Sequence, residues 1–185
     1  MSRKYKIRDQ QAIYFVTFTV IDWIDVFIRD EYREVLIESI SYCQKNKGLE
    51  VHAYCFMTSH IHLIIGSKGL MPLEGIIRDL KAFTSRSIRK LLENHTQVSE
   101  SRREWILRRM YNAGKYNPNN IDFQFWQQYS HPIELYSDLK IDKTLEYIHL
   151  NPVAAGFVDT PEAWVYSSAR DYSGLAKGAI ELVYL

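Results

Sequence analysis

Two short patterns in this chain combine residue types that could do chemistry. His60-Ile61-His62 lies in an apolar, β-branched run. The period of two in a strand sends both imidazoles to one face and Ile61 into the opposite layer. Two such histidines can share a divalent cation, because their ring nitrogens converge at about coordination distance. The same triplet equally suits one core histidine and one exposed histidine, so the spacing alone leaves both readings open. The second pattern is Tyr147-Ile148-His149-Leu150-Asn151-Pro152. Residues four apart share a helix face, so Tyr147 and Asn151 project together. A tyrosine hydroxyl is a weak nucleophile at neutral pH, a deficit that a metal-polarised substrate offsets. The structural alternative is that Asn151 is an N-cap with Pro152 at the first helical position.

A third feature is basic clustering. Residues 73–92 carry Arg78, Lys81, Arg86, Arg89 and Lys90 against Glu74 and Asp79. Residues 101–117 carry Arg102, Arg103, Arg108, Arg109 and Lys115 against Glu104, with Trp105, Tyr111 and Tyr116 interleaved. Arginines among aromatics suit a phosphate backbone and unstacked bases. A solvated helix face explains the first cluster as well. The lopsided charge of the second points more strongly to nucleic acid.

These residues must be held by ordered elements, and the hydrophobic patterning supplies them. Residues 12–20 and 51–56 read as strands, and 60–65 as a third strand ended by Gly66. The Met57-Thr58-Ser59 link is of hairpin length, which makes the last two antiparallel neighbours. Asp30 opens a helix with Tyr32, Val35, Leu36, Ile40 and Cys43 at helical spacing and Gly48 as its stop. A long helix over 73–92 buries Leu73, Ile76, Ile77, Leu80, Phe83, Ile88 and Leu91. Residues 94–120 are polar and uneven, with a short helix over 104–110 and then a loop. Residues 122–127 and 132–135 read as strand pieces. A last helix over 142–150 is interrupted at Asn151-Pro152 and closed by Gly156. The order β-α-β-β-α-β-α fits an α+β, ferredoxin-like antiparallel sheet with helices packed on one face and a C-terminal helix carrying Tyr147. The last dozen residues carry no assignable pattern.

The 185 residues suit a single domain over 1–185, and no repeat or Gly/Pro/Ser-rich linker divides them. With 46% hydrophobic and 24% charged residues, wholesale disorder is excluded. Lysine plus arginine, 23, nearly balance aspartate plus glutamate, 22. A nucleic-acid surface must therefore come from local clustering rather than bulk charge. Two cysteines, Cys43 and Cys55, make no disulfide framework and point to a reducing, cytoplasmic setting. The basic start Met1-Ser2-Arg3-Lys4-Tyr5-Lys6 precedes no long apolar run, and no segment reaches the roughly 18 apolar residues of a membrane helix.

Taken together, these residues resemble the single-tyrosine HUH transposases, more closely the REP-associated tyrosine transposases. The resemblance runs from Tyr14-Phe15-Val16-Thr17-Phe18 through Met57-Thr58-Ser59-His60-Ile61-His62-Leu63 to Tyr147-Ile148-His149-Leu150-Asn151-Pro152-Val153-Ala154-Ala155-Gly156. It continues into Trp164-Val165-Tyr166-Ser167-Ser168-Ala169-Arg170. It implies a metal-dependent single-stranded DNA endonuclease and strand transferase that cleaves near DNA hairpins through a 5′-phosphotyrosine intermediate. In that reading His60 and His62 bind Mg²⁺ or Mn²⁺, Asn151 is a third ligand and Tyr147 is the nucleophile. Arg78, Lys81, Arg86, Arg102, Arg103, Arg108, Arg109 and Lys115 become the DNA-binding set. The partner is single-stranded DNA with a hairpin, with no membrane involved, and the protein acts as a monomer or homodimer. Many relatives carry Pro-Asn or Pro-Glu before the first histidine, where this chain has Thr58-Ser59. That departure should alter the turn or its DNA contacts rather than the ligands. Two rivals stand beside this reading. One is a non-catalytic nucleic-acid-binding module of the same fold. The other is a zinc site of His52, Cys55, His60 and His62, which a regular strand opposes by sending His52 and Cys55 to opposite faces.

Overall fold

The computed structural model describes residues 7–96, 98–117, 122–128 and 131–185. The basic start and parts of the expected 94–120 loop lie outside these residues. Strand β1 (Tyr14–Thr19) alternates buried and half-buried side chains along its length. Tyr14, Val16 and Phe18 enter one layer, and Phe15, Thr17 and Thr19 face the other. Helix α1 (Asp30–Lys47) buries Tyr32, Leu36, Ile40 and Cys43. It stops at Gly48, whose φ of 74° is open to glycine, and the Gly48 N–H donates to the Cys43 carbonyl. Strands β2 (Leu49–Phe56) and β3 (His60–Ser67) form the expected antiparallel hairpin, with β3 running through Gly66 rather than ending there.

The chain goes on through α2 (Leu73–Glu93), α3 (Arg103–Lys115), the two-residue β4 (Ile133–Glu134), α4 (Asp138–Ala154) and the single turn α5 (Ala169–Tyr172). The sheet order is β2-β3-β1-β4, with every pair antiparallel. Helices α1 and α2 cover one face, where Leu36, Ile40, Ile76, Leu80 and Ile88 meet Val16, Phe18, Ile61, Leu63 and Ile65 in the main core. Helix α4 lies on the other face. Ile141, Leu145 and Ile148, one stripe at helical spacing, pack there with Ala53, Cys55, Met57, Ile64 and Leu135. The architecture is the α+β one expected, and the helix bearing Tyr147 sits on the face opposite α1 and α2. Among the described residues no helix is long and apolar enough to cross a membrane.

Several local expectations need correction. Helix α4 begins four residues before the expected 142 and continues through Pro152 to Ala154. Proline lies close enough to the end that its missing N–H leaves only one late carbonyl without an intrahelical donor. Asn151 is therefore inside the helix and not an N-cap. Residues 122–127 form no strand. Trp126 makes an isolated bridge to Val20, and the Gln124 N–H instead donates to the Met110 carbonyl of α3. Phe83 is exposed, and the stripe turns through buried Thr84, whose hydroxyl accepts from Trp126 Nε1 at 3.0 Å. The unassigned C-terminal residues lie along β2, where the Val183 N–H donates to the Val51 carbonyl and Ile180 is buried.

A β-bulge between Val51 and Ala53 breaks the strand alternation that separated His52 from Cys55. His52 Nε2 approaches Gly66 from the histidine side of the sheet, while Cys55 pairs opposite His62. The parity argument against the zinc set therefore fails, but distance replaces it. Gly66 lies four residues along β3 from His62, and His52 Nδ1 is engaged by the Val183 carbonyl at 2.7 Å.

The packing of α3 against residues 122–125 yields a first prediction. A Cβ on Gly114 would stand 2.3 Å from the Phe123 backbone nitrogen, with no flexible side chain to yield. Gly114→Ala should lower unfolding stability by about 1–3 kcal/mol in urea denaturation. An unchanged midpoint would mean that this contact is loose.

Candidate functional site

The site is built on the β1–β3 register, in which Thr17 lies opposite His62 and Thr19 opposite His60. Ile61, Leu63 and Ile65 are wholly buried under α1 and α2, so alternation places His60 and His62 together on the other face. Their ring centroids are 4.7 Å apart. The two rings thus lie side by side on one face, His62 buried and His60 half-buried.

Each ring is oriented through Nδ1. Thr17 Oγ1 lies 2.8 Å from His62 Nδ1, and Ser59 Oγ lies 3.2 Å from His60 Nδ1. When each Nδ1–H donates to its hydroxyl oxygen, each Nε2 carries a free lone pair. His62 Nε2 is buried and has no hydrogen-bond partner among the described residues. Burial, with His60 alongside, pushes the His62 pKa down to about 3, and burial lowers that of His60 as well. Both imidazoles are therefore neutral at physiological pH. A neutral pair with an unpartnered Nε2, backed by hydroxyls, is a donor set that suits a divalent cation. Among the described residues no group of three or more His, Cys, Asp or Glu could hold a metal ion, so any further ligand is of another type. The Ser59 of this chain's Thr58-Ser59 variation contacts the first histidine directly.

Aromatic rings frame the pair. Phe15 stacks on His62 at 5.6 Å, and Tyr147 meets His62 at 5.5 Å and Phe15 edge-on at 6.0 Å. Tyr147 is 52% exposed. It adjoins buried Ile148 on α4, so docking of the helix through Ile141, Leu145 and Ile148 carries the phenol to the histidines. Asn151 follows one turn later and is half-buried. On the opposite flank Trp23 meets His60 at 5.3 Å. Beside the pair, a concavity of about 250 Å³ is lined by Phe15, Thr17, Thr19, Gln127, Gln128, His131 and Ile133. Thr17 and Ser59 follow from strand pairing once the register is known. Trp23 carries no signal in the sequence.

The basic residues are not gathered here. Arg103 is buried, and its guanidinium donates to the carbonyls of Leu91, Leu92, Asn94 and Val98, closing the end of α2. Its expected place on a DNA surface is corrected: it is a brace inside the fold. Burial draws the Lys81 pKa down to about 8; its Nζ lies over the Phe18 ring and donates to the Gln127 carbonyl at 3.2 Å. Arg102 pairs with Asp25 at 2.5 Å and Glu100 at 3.1 Å. Arg78 and Arg86 are exposed on α2, behind the sheet, with Arg78 3.2 Å from Asp79. Arg108 and Lys115 are exposed on α3. Arg109 pairs with Asp22, the residue before Trp23, at 2.5 Å.

The family model described as IS200-like transposase matches residues 10–131, and the chain belongs to that family. The matched stretch contains β1 and the His60–His62 strand and ends before α4. Among solved structures, a REP-associated tyrosine transposase bound to a REP hairpin is similar, with a TM-score of 0.67. The likeness covers 96% of this chain and 89% of that one at 17% identity, and is a likeness of fold. A transposase-like protein from Deinococcus radiodurans is 16% identical over 80% of this chain and 94% of that one, with a TM-score of 0.43. No curated protein matches.

The contrast between buried and exposed arginines yields a second prediction. Arg103→Ala leaves four carbonyls without their donor and should lower stability by about 3 kcal/mol in denaturant titration. Arg108→Ala should leave the midpoint unchanged. Equal effects from the two would contradict the bracing role.

Proposed function

We propose that this chain is a metal-dependent single-stranded DNA endonuclease and strand transferase, with Tyr147 as nucleophile and His60, His62 and Asn151 as ligands of Mg²⁺ or Mn²⁺. The observation that carries the reading is the half-exposed Tyr147 ring 5.5 Å from His62, whose buried Nε2 lacks a partner among the described residues. The IS200-like family supports transposition as the setting. The REP hairpin held by a protein of similar fold supports a DNA hairpin with a single-stranded flank as substrate. A bound divalent cation would draw charge from a non-bridging oxygen of the scissile phosphate.

The chain's own residues do the rest. Thr17 and Phe15 hold His62 at one angle, and Ser59 does so for His60. Tyr147 oxygen attacks phosphorus and releases its proton to water, which reaches the half-exposed ring. The bond from phosphorus to the DNA 3′-oxygen breaks, and that oxygen leaves as a hydroxyl after taking a proton from solvent. The product is a 5′-phosphotyrosine. Attack by another 3′-hydroxyl reverses the step and joins strands, because one phosphoester replaces another. Exposed Arg108 and Lys115 supply phosphate contacts.

Tyr147→Phe keeps the ring against Phe15 and His62 and removes only the hydroxyl. It should abolish the covalent protein–DNA adduct on a denaturing gel with labelled hairpin DNA and Mn²⁺, while hairpin retardation persists. An adduct formed by this variant would remove Tyr147 from the mechanism. No adduct from the wild type with any hairpin substrate would favour a module that only binds.

Thr17→Val keeps the side chain's shape and deletes the hydroxyl that orients His62. Mn²⁺ affinity, measured by calorimetric titration, should fall roughly 10–100-fold. Unaltered affinity would show that the ring is oriented by packing alone.

A further inference from the structure

Trp23 is out of place by ordinary packing rules. Its neighbours Ile21 and Ile24 are both buried, yet its indole is 59% exposed. Asp22 and Trp23 both lie in the left-handed backbone region, with φ of 53° and 57°, a conformation bulky side chains rarely adopt. The turn is held there from several sides. The Trp23 N–H donates to the Val20 carbonyl at 3.1 Å and the Ile21 N–H to the Phe125 carbonyl at 2.8 Å. Arg109 Nε donates to the Asp22 carboxylate at 2.8 Å. A strained backbone maintained to keep a large aromatic ring in solvent points to a task at the surface.

Its neighbour identifies the task. The indole meets the His60 ring edge-to-face, at 5.3 Å and 73°. Tyr147 meets His62. His60 and His62 are successive same-face residues of β3, so the indole and the phenol flank the pair from its two ends. In an in-line displacement the attacking and leaving oxygens stand on opposite sides of phosphorus. With the attacking oxygen on Tyr147, the nucleotide that surrenders its 3′-oxygen lies at the Trp23 end.

We propose that Trp23 is a stacking platform for the nucleobase on the 5′ side of the scissile phosphate. This rests on the assignment of Tyr147 as nucleophile. Every base has a π-face, so the platform holds this nucleotide whatever its identity. Its consequence comes after cleavage. The strand ending in the new 3′-hydroxyl is no longer bonded to the nucleotide on Tyr147, and stacking keeps that hydroxyl near the phosphotyrosine it must attack to rejoin.

The test compares single-turnover adduct formation by wild type, Trp23→Gly and Trp23→Tyr. Each is run on hairpin DNA that is intact or abasic at the nucleotide 5′ to the cleavage point. Glycine accepts a positive φ, so Trp23→Gly removes the ring and relieves the strain together. Trp23→Gly and the abasic site should each slow the reaction about tenfold, and their combination no more than either alone. Trp23→Tyr should retain most of the rate. A wild-type rate in Trp23→Gly, losses that multiply, or a rate loss accompanied by a lower thermal midpoint would each overturn the platform. A second readout needs no chemistry: intrinsic tryptophan fluorescence titrated with the same oligonucleotides. Quenching in the wild type should vanish in Trp23→Phe and weaken on the abasic strand. If the wild type makes no adduct yet shows this quenching pattern, the nuclease reading fails and the base contact survives. If quenching is the same in Trp23→Phe, the platform fails whatever the adduct assay gives.

Discussion

The pairing of β1 with β3, with Thr17 opposite His62, governs everything on the histidine face. A slip of one residue would drive both imidazoles into the core beneath α1 and α2 and turn Ile61, Leu63 and Ile65 toward the other face. Each of those three side chains is completely buried, and burial of each contributes roughly 2 kcal/mol. The register is thus locked by apolar residues that never touch the site. The polar residues come into place as a by-product: one alternation delivers Thr17, Thr19, His60 and His62 to a common surface. Chemistry and core are two sides of the same strands.

The same economy governs α4 and the arginines. Helix α4 docks through Ile141, Leu145 and Ile148, and Tyr147 takes its position because it is next to the last of these. A helix turns about 100° per residue, so a neighbour of a buried position sits on the flank, half in solvent. This leaves the phenol near His62 and reachable by water. Arg103 shows the reverse case. It follows Arg102 in a basic, aromatic-rich stretch, yet its five donors are better used on the open carbonyls at the end of α2 than on solvent. Charge clustering in a sequence does not distinguish the two uses.

Much of the architecture was legible because it rests on local periodicity. Helix α1 with its Gly48 stop, α2, the β2–β3 hairpin and the common face of His60 and His62 all follow from spacing within a dozen residues or so. What was not legible depends on partners distant in the chain. The bulge at Val51–Ala53 changes the facing of His52 without a glycine to mark it. Residues 122–127 alternate like a strand but are captured by α3 at Gly114. Pro152 reads as a helix interruption, and only tertiary packing carries α4 past it. Trp23 is the clearest case, since nothing in Ile21-Asp22-Trp23 announces two successive left-handed residues. Its conformation comes from Phe125 and Arg109, about a hundred and about ninety positions away, distances beyond any local propensity.

The separation of Tyr147 from the histidines also sets an order of assembly. Strands β1, β2 and β3, which position His60 and His62, all precede α4 in the chain and can pair before it is made. The helix that brings Tyr147 is made some eighty residues later, and the segment containing Val183, which lies along β2, later still. Domains mature from the N-terminus during synthesis, and contacts of long sequence separation close slowly. A nascent or truncated chain would therefore present the imidazole pair without the phenol. Under the proposed function such a chain would lack the attacking group, so strand breakage would have to wait until α4 has docked.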